Sequence, residues 1–322
     1  MGPRLAAALA AALVAVAAGP FTPSADASDR LALDASRVRL AVSADGKLAV
    51  VSYRQAGRAR HALVWGAVDA LPPSETVPQA RFTIDWTGGW ATHHDAQWWR
   101  RVGNHCARYD GPPLASLVAA CTAPDGSWWA LQRWQPKLPH RGYPPYRPDQ
   151  RDWELDISHW TGRLADLEVH ADWAFGGQAH NLFGRLLYAR VPVHGFHTVK
   201  GTGAPRDRYG RSLYIDTFDS AYGAGWKRET SIVFRNPTGV FCYSFWPTHD
   251  VSLPGRPARP AGHGTKYRIE VQGPGVTPNL AAVVQDPGAW NPNDPAKVAY
   301  EREMKARQLE LSAGDKFCPT QT

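Results

Sequence analysis

Two carboxylates alternate with apolar residues in the segment 153–159. A single apolar residue separates Glu154 from Asp156. On a β-strand successive side chains point to opposite faces, so these two lie on one face, about 7 Å apart. Carboxylates this close raise each other's pKa and can hold a proton or a cation. The pattern therefore predicts Glu154 and Asp156 as candidate catalytic residues, and solvation or pairing with Arg151 or Arg163 is the alternative.

The same segment resembles the signature of laminarinase- and lichenase-like glycoside hydrolases (family 16), which fold as a jelly-roll sandwich. The resemblance implies that Glu154 is the nucleophile and Asp156 the assisting carboxylate. The family's acid/base position falls on Ser158, or on His159 if the strand carries a bulge. A retaining glycosidase needs a second catalytic carboxyl about 5–5.5 Å from the first, and neither residue supplies one. A hydrolase is therefore one of several functions left open.

Tryptophan is concentrated in one region, since eleven of the 14 lie between Trp65 and Trp173. If the adjacent Trp128 and Trp129 lie on a strand, they point to opposite faces, and a single core cannot bury both rings. Either a second layer covers one of them, or that ring is exposed and can stack on a sugar. Trp128 and Trp129 are therefore candidate ligand-binding residues.

The Gly-rich segment 216–229 combines acidic and aromatic residues. Gly-rich loops let a backbone approach a ligand closely, and they are equally common in hairpins that need a positive φ. Both interpretations stay open. Under the first, the ligand-binding candidates are Asp216, Asp219, Tyr222 and Trp226.

The second half of the chain resembles a group of uncharacterised exported proteins from actinobacteria with high-GC genomes. The resemblance is carried by residues 183–186, 216–229, 236–243 and 273–278. It implies export and a β-rich fold, and it implies no activity.

The N-terminus has the composition of a secretory signal peptide. Arg4 precedes an uninterrupted run of Ala, Leu and Val from Leu5 to Ala18, and Ala25 and Ala27 are the small residues that cleavage requires. The run is too short to span a bilayer comfortably. We expect cleavage after Ala27 and a secreted, extracytoplasmic product without a transmembrane segment.

Four cysteines in an exported chain indicate two disulfides, for which three pairings exist. Cys106 and Cys121 flank a turn-rich stretch, so a bond between them is favoured, and Cys242 then pairs with Cys318. No two cysteines are close enough in sequence to form a typical metal site. We expect neither a metal nor a cofactor.

Short apolar runs between turn residues predict a mostly β protein. Asp45 and Asp125 each begin an Asp-Gly turn between two such runs, which is a hairpin signal. Many short strands favour an antiparallel β-sandwich or a jelly-roll-like fold. A few short helices are expected, one of them over 95–102, and the clearest helix is C-terminal, capped by Asp294.

The pattern divides the chain into five regions. The Pro-rich third region is either a linker between two domains or a surface loop of one. The regions are a signal peptide (1–27), a Trp-rich β region (28–135), the Pro-rich segment (136–150), a β-sandwich region (151–290), and a C-terminal helix with a disulfide-tied tail (291–322).

Composition and charge narrow the range of possible functions. The 322-residue chain has a formal net charge of +7, and residues 28–61 hold seven Lys or Arg against three Asp or Glu. A basic surface outside the cell attracts anionic polymers, and no nucleic-acid-binding motif is present. The leading hypothesis is a protein that binds a polysaccharide or an anionic cell-envelope polymer through a Trp-rich, basic surface. The alternatives are a hydrolase and a structural extracytoplasmic protein without a small ligand.

Overall fold

The computed structural model describes most of the chain beyond the predicted signal peptide. Residues 1–27 and the Pro-rich segment 136–150 lie outside the described residues. The described residues are 29–74, 77, 79–135, 153–193, 196–198, 205–207, 213–220, 223–232, 238–245, 264–313 and 318.

Antiparallel strands dominate the described residues, which confirms the predicted fold class. Before residue 161 the strands are β1 (Asp29–Leu33), β2 (Ser36–Val42), β3 (Leu48–Gln55), β4 (Arg58–Trp65), β5 (Thr83–Asp85), β6 (Ala107–Arg108), β7 (Leu117–Thr122), β8 (Trp128–Trp134) and β9 (Glu154–Trp160). After it they are β10 (Asp166–Ala174), β11 (Ala179–Tyr188), β12 (Val191–Pro192), β13 (Phe196–Thr198), β14 (Pro205–Asp207), β15 (Leu213–Ser220), β16 (Gly223–Ile232), β17 (Val240–Phe245), β18 (Lys266–Val271) and β19 (Leu280–Gln285). The helices are α1 (Trp90–His93) and α2 (Pro295–Leu311).

Strands β1 to β9 form a first sandwich of two sheets. One sheet has the order β1-β9-β8-β7-β6, and the other has the order β2-β3-β4-β5. Both predicted Asp-Gly hairpins are present, as β2-β3 and β7-β8. Alternate side chains from both sheets meet in one apolar core, which includes Val51, Val64, Leu131 and Ile157. Burial of these alternate positions holds the two sheets face to face.

A second sandwich follows. Its first sheet pairs β10 with β11, and β11 also pairs with β12 and β17; its second sheet has the order β16-β15-β18-β19. The core between them includes Leu182, Leu186, Ile215, Tyr267 and Ile269. Strand β9 follows the Pro-rich segment and pairs with β8, which precedes it. The chain therefore passes from the first sandwich to the second after β9, and the described strands before and after the Pro-rich segment are neighbours in one sheet.

The C-terminal helix α2 forms where the sequence predicts it. The carboxylate of Asp294 accepts a hydrogen bond from the backbone N–H of Ala296 at 3.0 Å and caps the helix. Met304 and Leu311 of α2 belong to a third apolar cluster together with Phe183 of β11. The helix therefore covers the outer face of the sheet that contains β11.

Both predicted disulfides are present. Cys106 is bonded to Cys121, and Cys242 of β17 is bonded to Cys318 beyond α2. The second bond fastens the tail to the sheet that α2 covers. Among the described residues, no helix is both long and apolar enough to cross a membrane.

The prediction of a helix over 95–102 is wrong. The structure has one 3-10 turn there, Trp98–Arg100, and the short helix α1 lies before it. The carboxylate of Asp95 accepts a hydrogen bond from the backbone N–H of Gln97 at 2.8 Å, as a helix cap does. The backbone N–H of Trp99, however, donates to the carbonyl oxygen of Gly88 at 3.3 Å rather than to the carbonyl four residues before it, and this tertiary bond replaces a helical one.

Candidate functional site

The strongest candidate site is a cavity of about 600 Å³ at one end of the first sandwich, called the cleft from here on. Its volume falls within the usual range for ligand pockets. Turn residues, strand ends and α1 all contribute to it. The lining residues are Asp45, Lys47, Leu48, Trp65, Gly66, Val68, Thr92, His93, Asp125 and His159.

The two Asp-Gly hairpin turns meet at the cleft. Asp45 accepts hydrogen bonds from Ser43 Oγ at 2.5 Å and from the backbone N–H of Lys47 at 3.1 Å. These bonds hold the pKa of Asp45 below its usual value, with the Ser43 hydroxyl as the main cause. A Cβ atom at Gly46 would lie 2.5 Å from Cγ of Asp125, so the absence of a side chain at Gly46 lets the two turns touch.

His159 lies at the floor of the cleft and is almost fully buried. Its ring stacks on Trp129 with 3.7 Å between the ring centroids. The Trp129 indole also donates a hydrogen bond to the carbonyl oxygen of Gly46 at 2.9 Å. Trp129 has no exposed surface, so this predicted ligand-binding residue supports the cleft from beneath.

A chain of short contacts runs from His159 to the rim. Nδ1 of His159 lies 3.1 Å from the carbonyl oxygen of Ala67, and Nε2 lies 2.8 Å from Oγ of Ser127. Ser127 Oγ in turn donates to Asp125 Oδ1 at 2.6 Å. Because the serine proton is committed to Asp125, an imidazolium would satisfy both ring contacts. Burial opposes that charge and lowers the pKa of His159 to about 4.

This arrangement differs from a nucleophilic catalytic triad. In a triad the histidine lies between the serine and the acid, and it takes the serine proton. Here Ser127 lies between Asp125 and His159, and it is almost fully buried. The contacts therefore fix the floor and one turn of the cleft without exposing a nucleophile.

The wall that carries α1 is fastened by a buried carboxylate. Asp85 accepts hydrogen bonds from the backbone N–H and hydroxyl of Thr87 and from those of Thr92. Burial raises the pKa of Asp85, but these four bonds outweigh it and the pKa lies below its usual value. His93 stacks on Trp98 at 4.0 Å, which holds the helix against the 3-10 turn.

The cleft is not basic, unlike the surface that the composition predicts. Two carboxylates, Asp45 and Asp125, line it together with one lysine, Lys47. The half-buried ring of Trp65 forms part of the wall. Trp90, which begins the adjacent helix α1, is 58% exposed. The arrangement therefore combines aromatic surface with hydrogen-bond acceptors.

The two carboxylates predicted to be catalytic lie elsewhere, on the face of β9 that points away from the core of the first sandwich. Glu154 accepts a hydrogen bond from Arg30 at 2.8 Å. Asp156 has no exposed surface, and its Oδ2 accepts from Nδ2 of Asn279 at 2.8 Å. The side chain of Gln132 exchanges two hydrogen bonds with the backbone of Asn279. Asp156 therefore lies where the two sandwiches meet, away from solvent.

The pairing of these carboxylates with Arg163 is absent among the described residues, and the pairing with Arg151 stays a prediction. Glu154 pairs with Arg30, and Arg163 lines a different cavity. Arg151 lies outside the described residues. A tertiary contact with β1 thus holds Glu154.

Trp128 is half-buried, and its indole donates to Asp110 Oδ1 at 2.8 Å. Its ring lies 5.8 Å from that of Trp160, centroid to centroid. The rings of Trp128 and Trp129 therefore lie on opposite faces of β8, and neither belongs to the cleft lining.

The segment 216–229 is the hairpin β15-β16 rather than a loop. Asp219 is exposed and accepts a hydrogen bond from the backbone N–H of Gly225 at 2.6 Å. Trp226 is half-buried beneath the guanidinium of Arg268, 4.7 Å from it. Tyr222 lies outside the described residues.

Asp216 is buried in an ionic network. Its Oδ1 accepts from Nε of Arg228 at 2.7 Å, and its Oδ2 accepts from Nη2 of Arg268 at 2.6 Å. Arg228 also binds Glu270. Burial favours the neutral acid, but the two guanidinium groups outweigh it and hold the pKa of Asp216 low. Burial, with the charge of Asp216, raises the pKa of Glu270.

This network belongs to the contact between the sandwiches, called the junction from here on. The Arg228 guanidinium also donates to the carbonyl oxygen of Gln135, just beyond β8. Trp134 of β8 meets Tyr214 of β15 edge to face, with 5.3 Å between centroids. The junction therefore comprises Gln132, Trp134, Gln135 and Asp156 from the first sandwich and Tyr214, Asp216, Arg228, Glu270 and Asn279 from the second.

Sequence reasoning found the two hairpins but missed the cleft that their turns form. The available signal was the repeated Asp-Gly turn, because hairpins in facing sheets can bring their turns to the same end of a sandwich. Trp65, Thr92 and His93 carried no pattern that separates them from ordinary surface residues.

Comparisons of the chain with protein-family models, curated proteins and solved structures found no match. Within the described part of the chain, no group of three or more His, Cys, Asp or Glu side chains is placed to hold a metal ion. The functional assignment therefore depends on the chemistry of the cleft.

Proposed function

We propose that the protein binds a neutral glycan in the cleft, with one sugar ring stacked on Trp65. The observation that carries the proposal is the convergence of an aromatic ring and two carboxylates on one cavity of about 600 Å³. An aromatic face contacts the C–H face of a sugar, and carboxylate oxygens accept hydrogen bonds from its hydroxyls. A neutral ligand suits a lining whose acids outnumber its lysine.

The state of the two acids supports this proposal. The low pKa of Asp45 keeps its carboxylate ionised at neutral pH. Asp125 is exposed at the rim, and Oδ1 takes the two bonds from Ser127. Ionised carboxylates are acceptor-only groups, so they select ligands rich in hydroxyl donors over ligands that carry negative charge.

We further propose that the protein acts outside the cytoplasm, where glycans of cell envelopes are accessible. The signal-like N-terminus and the two disulfides support this location, since disulfides persist in oxidising compartments.

The test is binding of neutral hexasaccharides to the full chain by titration calorimetry, using β-glucan, chitin, mannan and xylan oligomers. We expect at least one to bind. Trp65→Ala should weaken that binding at least tenfold, which corresponds to about 1.4 kcal/mol.

The matched control is Trp153→Ala, because Trp153 is also a partly exposed tryptophan, 38% accessible, outside the cleft. This change should leave the affinity within twofold. Binding of none of the oligomers, or equal binding by Trp65→Ala and the unchanged protein, would overturn the proposal and favour a structural role.

A further inference from the structure

A second cavity, of about 420 Å³, lies beside the cleft and is called the arginine cavity here. It is lined in part by Asp69, Thr161, Arg163, Asp166, Tyr188 and Arg190. It adjoins the cleft, since Asp69 directly follows a residue of the cleft lining and Thr161 lies two residues after another. The arginine cavity is thus built where the chain passes from the first sandwich to the second.

Some charged side chains of the arginine cavity are bound to other residues, and others are not. Both carboxylate oxygens of Asp69 are engaged, because they accept from the backbone N–H and the hydroxyl of Thr161, both at 2.7 Å. Arg163 and Arg190 are exposed, and neither has an ion-pair partner among the residues that the structure describes. Asp166 is exposed as well. Two guanidinium groups and one carboxylate therefore remain available to a ligand.

Three of the ten described non-Gly residues with positive φ line the same cavity. Ala189 and Arg190 form the two-residue turn between β11 and β12, and their φ angles are 50° and 64°. Asp69, across the cavity, has a φ of 62°. A turn of this type normally uses Asn and Gly, because side chains disfavour the left-handed region. The tight turn places Arg190 at the cavity.

The remaining wall is aromatic. Tyr188 is half-buried, and its hydroxyl donates to the carbonyl oxygen of Ala70 at 3.3 Å. That bond anchors the phenol ring to the segment that separates the arginine cavity from the cleft. An anchored ring offers a fixed apolar surface against which a sugar or polyol can pack.

We propose that the arginine cavity binds a hydroxylated ligand that carries one anionic group, either a carboxylate or a phosphate. Arg163 and Arg190 bind the anionic group, since guanidinium matches both oxyanions in geometry and charge. Asp166 accepts a hydrogen bond from a hydroxyl, and its charge disfavours ligands with several adjacent anionic groups. The site differs in position and charge from the cleft and does not depend on the neutral glycan proposed there.

The test is titration of the full chain with two probes that each carry one anionic group, a monouronate-capped oligosaccharide and the phosphodiester of two glycerols, and with the same oligosaccharide lacking the uronate. We expect one or both acidic probes to bind, and the neutral probe to bind at least tenfold more weakly at this site. Binding of only one acidic probe identifies the anionic group. Arg163→Gln and Arg190→Gln should each weaken binding at least tenfold, and added salt should weaken it further.

Two control variants separate this site from the cleft and from general charge attraction. Arg58→Gln removes an exposed arginine outside the cavity, and it should leave binding of the acidic probe within twofold. Trp65→Ala should also leave binding at the arginine cavity within twofold, although it should weaken the binding proposed for the cleft at least tenfold. The proposal is overturned if neither acidic probe binds, or if both cavity variants bind as tightly as Arg58→Gln.

Discussion

The junction and the cleft both gather charged and aromatic side chains, but they hold them in different states. At the junction Asp216 and Arg228 are buried and bound to each other, and Arg228 also binds Glu270. At the cleft Asp45 and Asp125 are exposed and bound to the residues of their own turns. The carboxylates that alternate on β9 resemble a catalytic pattern, yet they belong with the buried group. Residue type and spacing alone therefore do not distinguish a structural ion pair from a ligand site.

The largest expected change in stability comes from removing a charged side chain of the junction. Arg228→Ala should lower the free energy of unfolding by about 3–5 kcal/mol, because it leaves two buried acids, Asp216 and Glu270, with Arg268 as their one remaining cation. The measurement is urea denaturation at pH 7. Lys47→Ala, which removes an exposed cation of the cleft, is the matched control and should change stability by less than about 0.5 kcal/mol. Equal losses in the two variants would remove the distinction between junction and cleft.

The next effect is the pH dependence conferred by His159. Its pKa is about 4 in the folded chain and 6.5 in a reference state, so the unfolded chain takes up the proton first as the pH falls. The stability that the folded protein has with neutral, buried His159 is therefore fully present above pH 6.5 and is lost as the pH falls towards 4. Between pH 7 and pH 5 the free energy of unfolding should fall by about 2 kcal/mol from this group.

The check is to measure the free energy of unfolding of the unchanged protein and of His159→Asn by urea denaturation, each at pH 7 and at pH 5. The variant should lose about 2 kcal/mol less than the unchanged protein on acidification. Asp172, whose pKa burial raises to about 6, has the opposite pH dependence, but it is present in both proteins and cancels. If the free energies of unfolding of the two proteins had the same pH dependence, His159 would be solvated rather than buried.

The smallest expected difference in stability is between alanine variants in the two hairpin turns of the cleft. Gly46 and Gly126 both have positive φ, 77° and 85°, so an alanine at either position costs about 1–2 kcal/mol of backbone strain. Only the change at Gly46 also brings a Cβ into contact with the carboxylate of Asp125, because nothing lies within 4 Å of a Cβ at Gly126.

Gly46→Ala should therefore lower stability by about 1 kcal/mol more than Gly126→Ala, since Asp125 must give up bonds to Ser127. It should also weaken glycan binding, whereas Gly126→Ala should leave it unchanged. Urea denaturation and the calorimetric titration measure both quantities. The same stability and affinity in both variants would show that the turns do not touch in solution.

Local chemistry made much of the architecture predictable. Alternating apolar residues around Asp45 and Asp125 specify hairpins, because only one face of each strand can be buried. Asp294 and the following proline specify the start of α2, and the cysteine spacing indicated the two disulfides. In each case the determining contacts lie close together in the chain or involve a residue type with few alternatives.

The roles of individual side chains depended on contacts between distant segments. Asp156 has no exposed surface, and it accepts a hydrogen bond from Asn279, 123 residues away. Trp129 is buried because Gly46 and His159 lie against it. The sequence by itself determined most of the strands and the terminal helix, because local propensity and pattern specify them, and it favoured one of three disulfide pairings, the one that is present. Only the tertiary structure decided which carboxylates and tryptophans face solvent, because burial depends on how the two sandwiches pack.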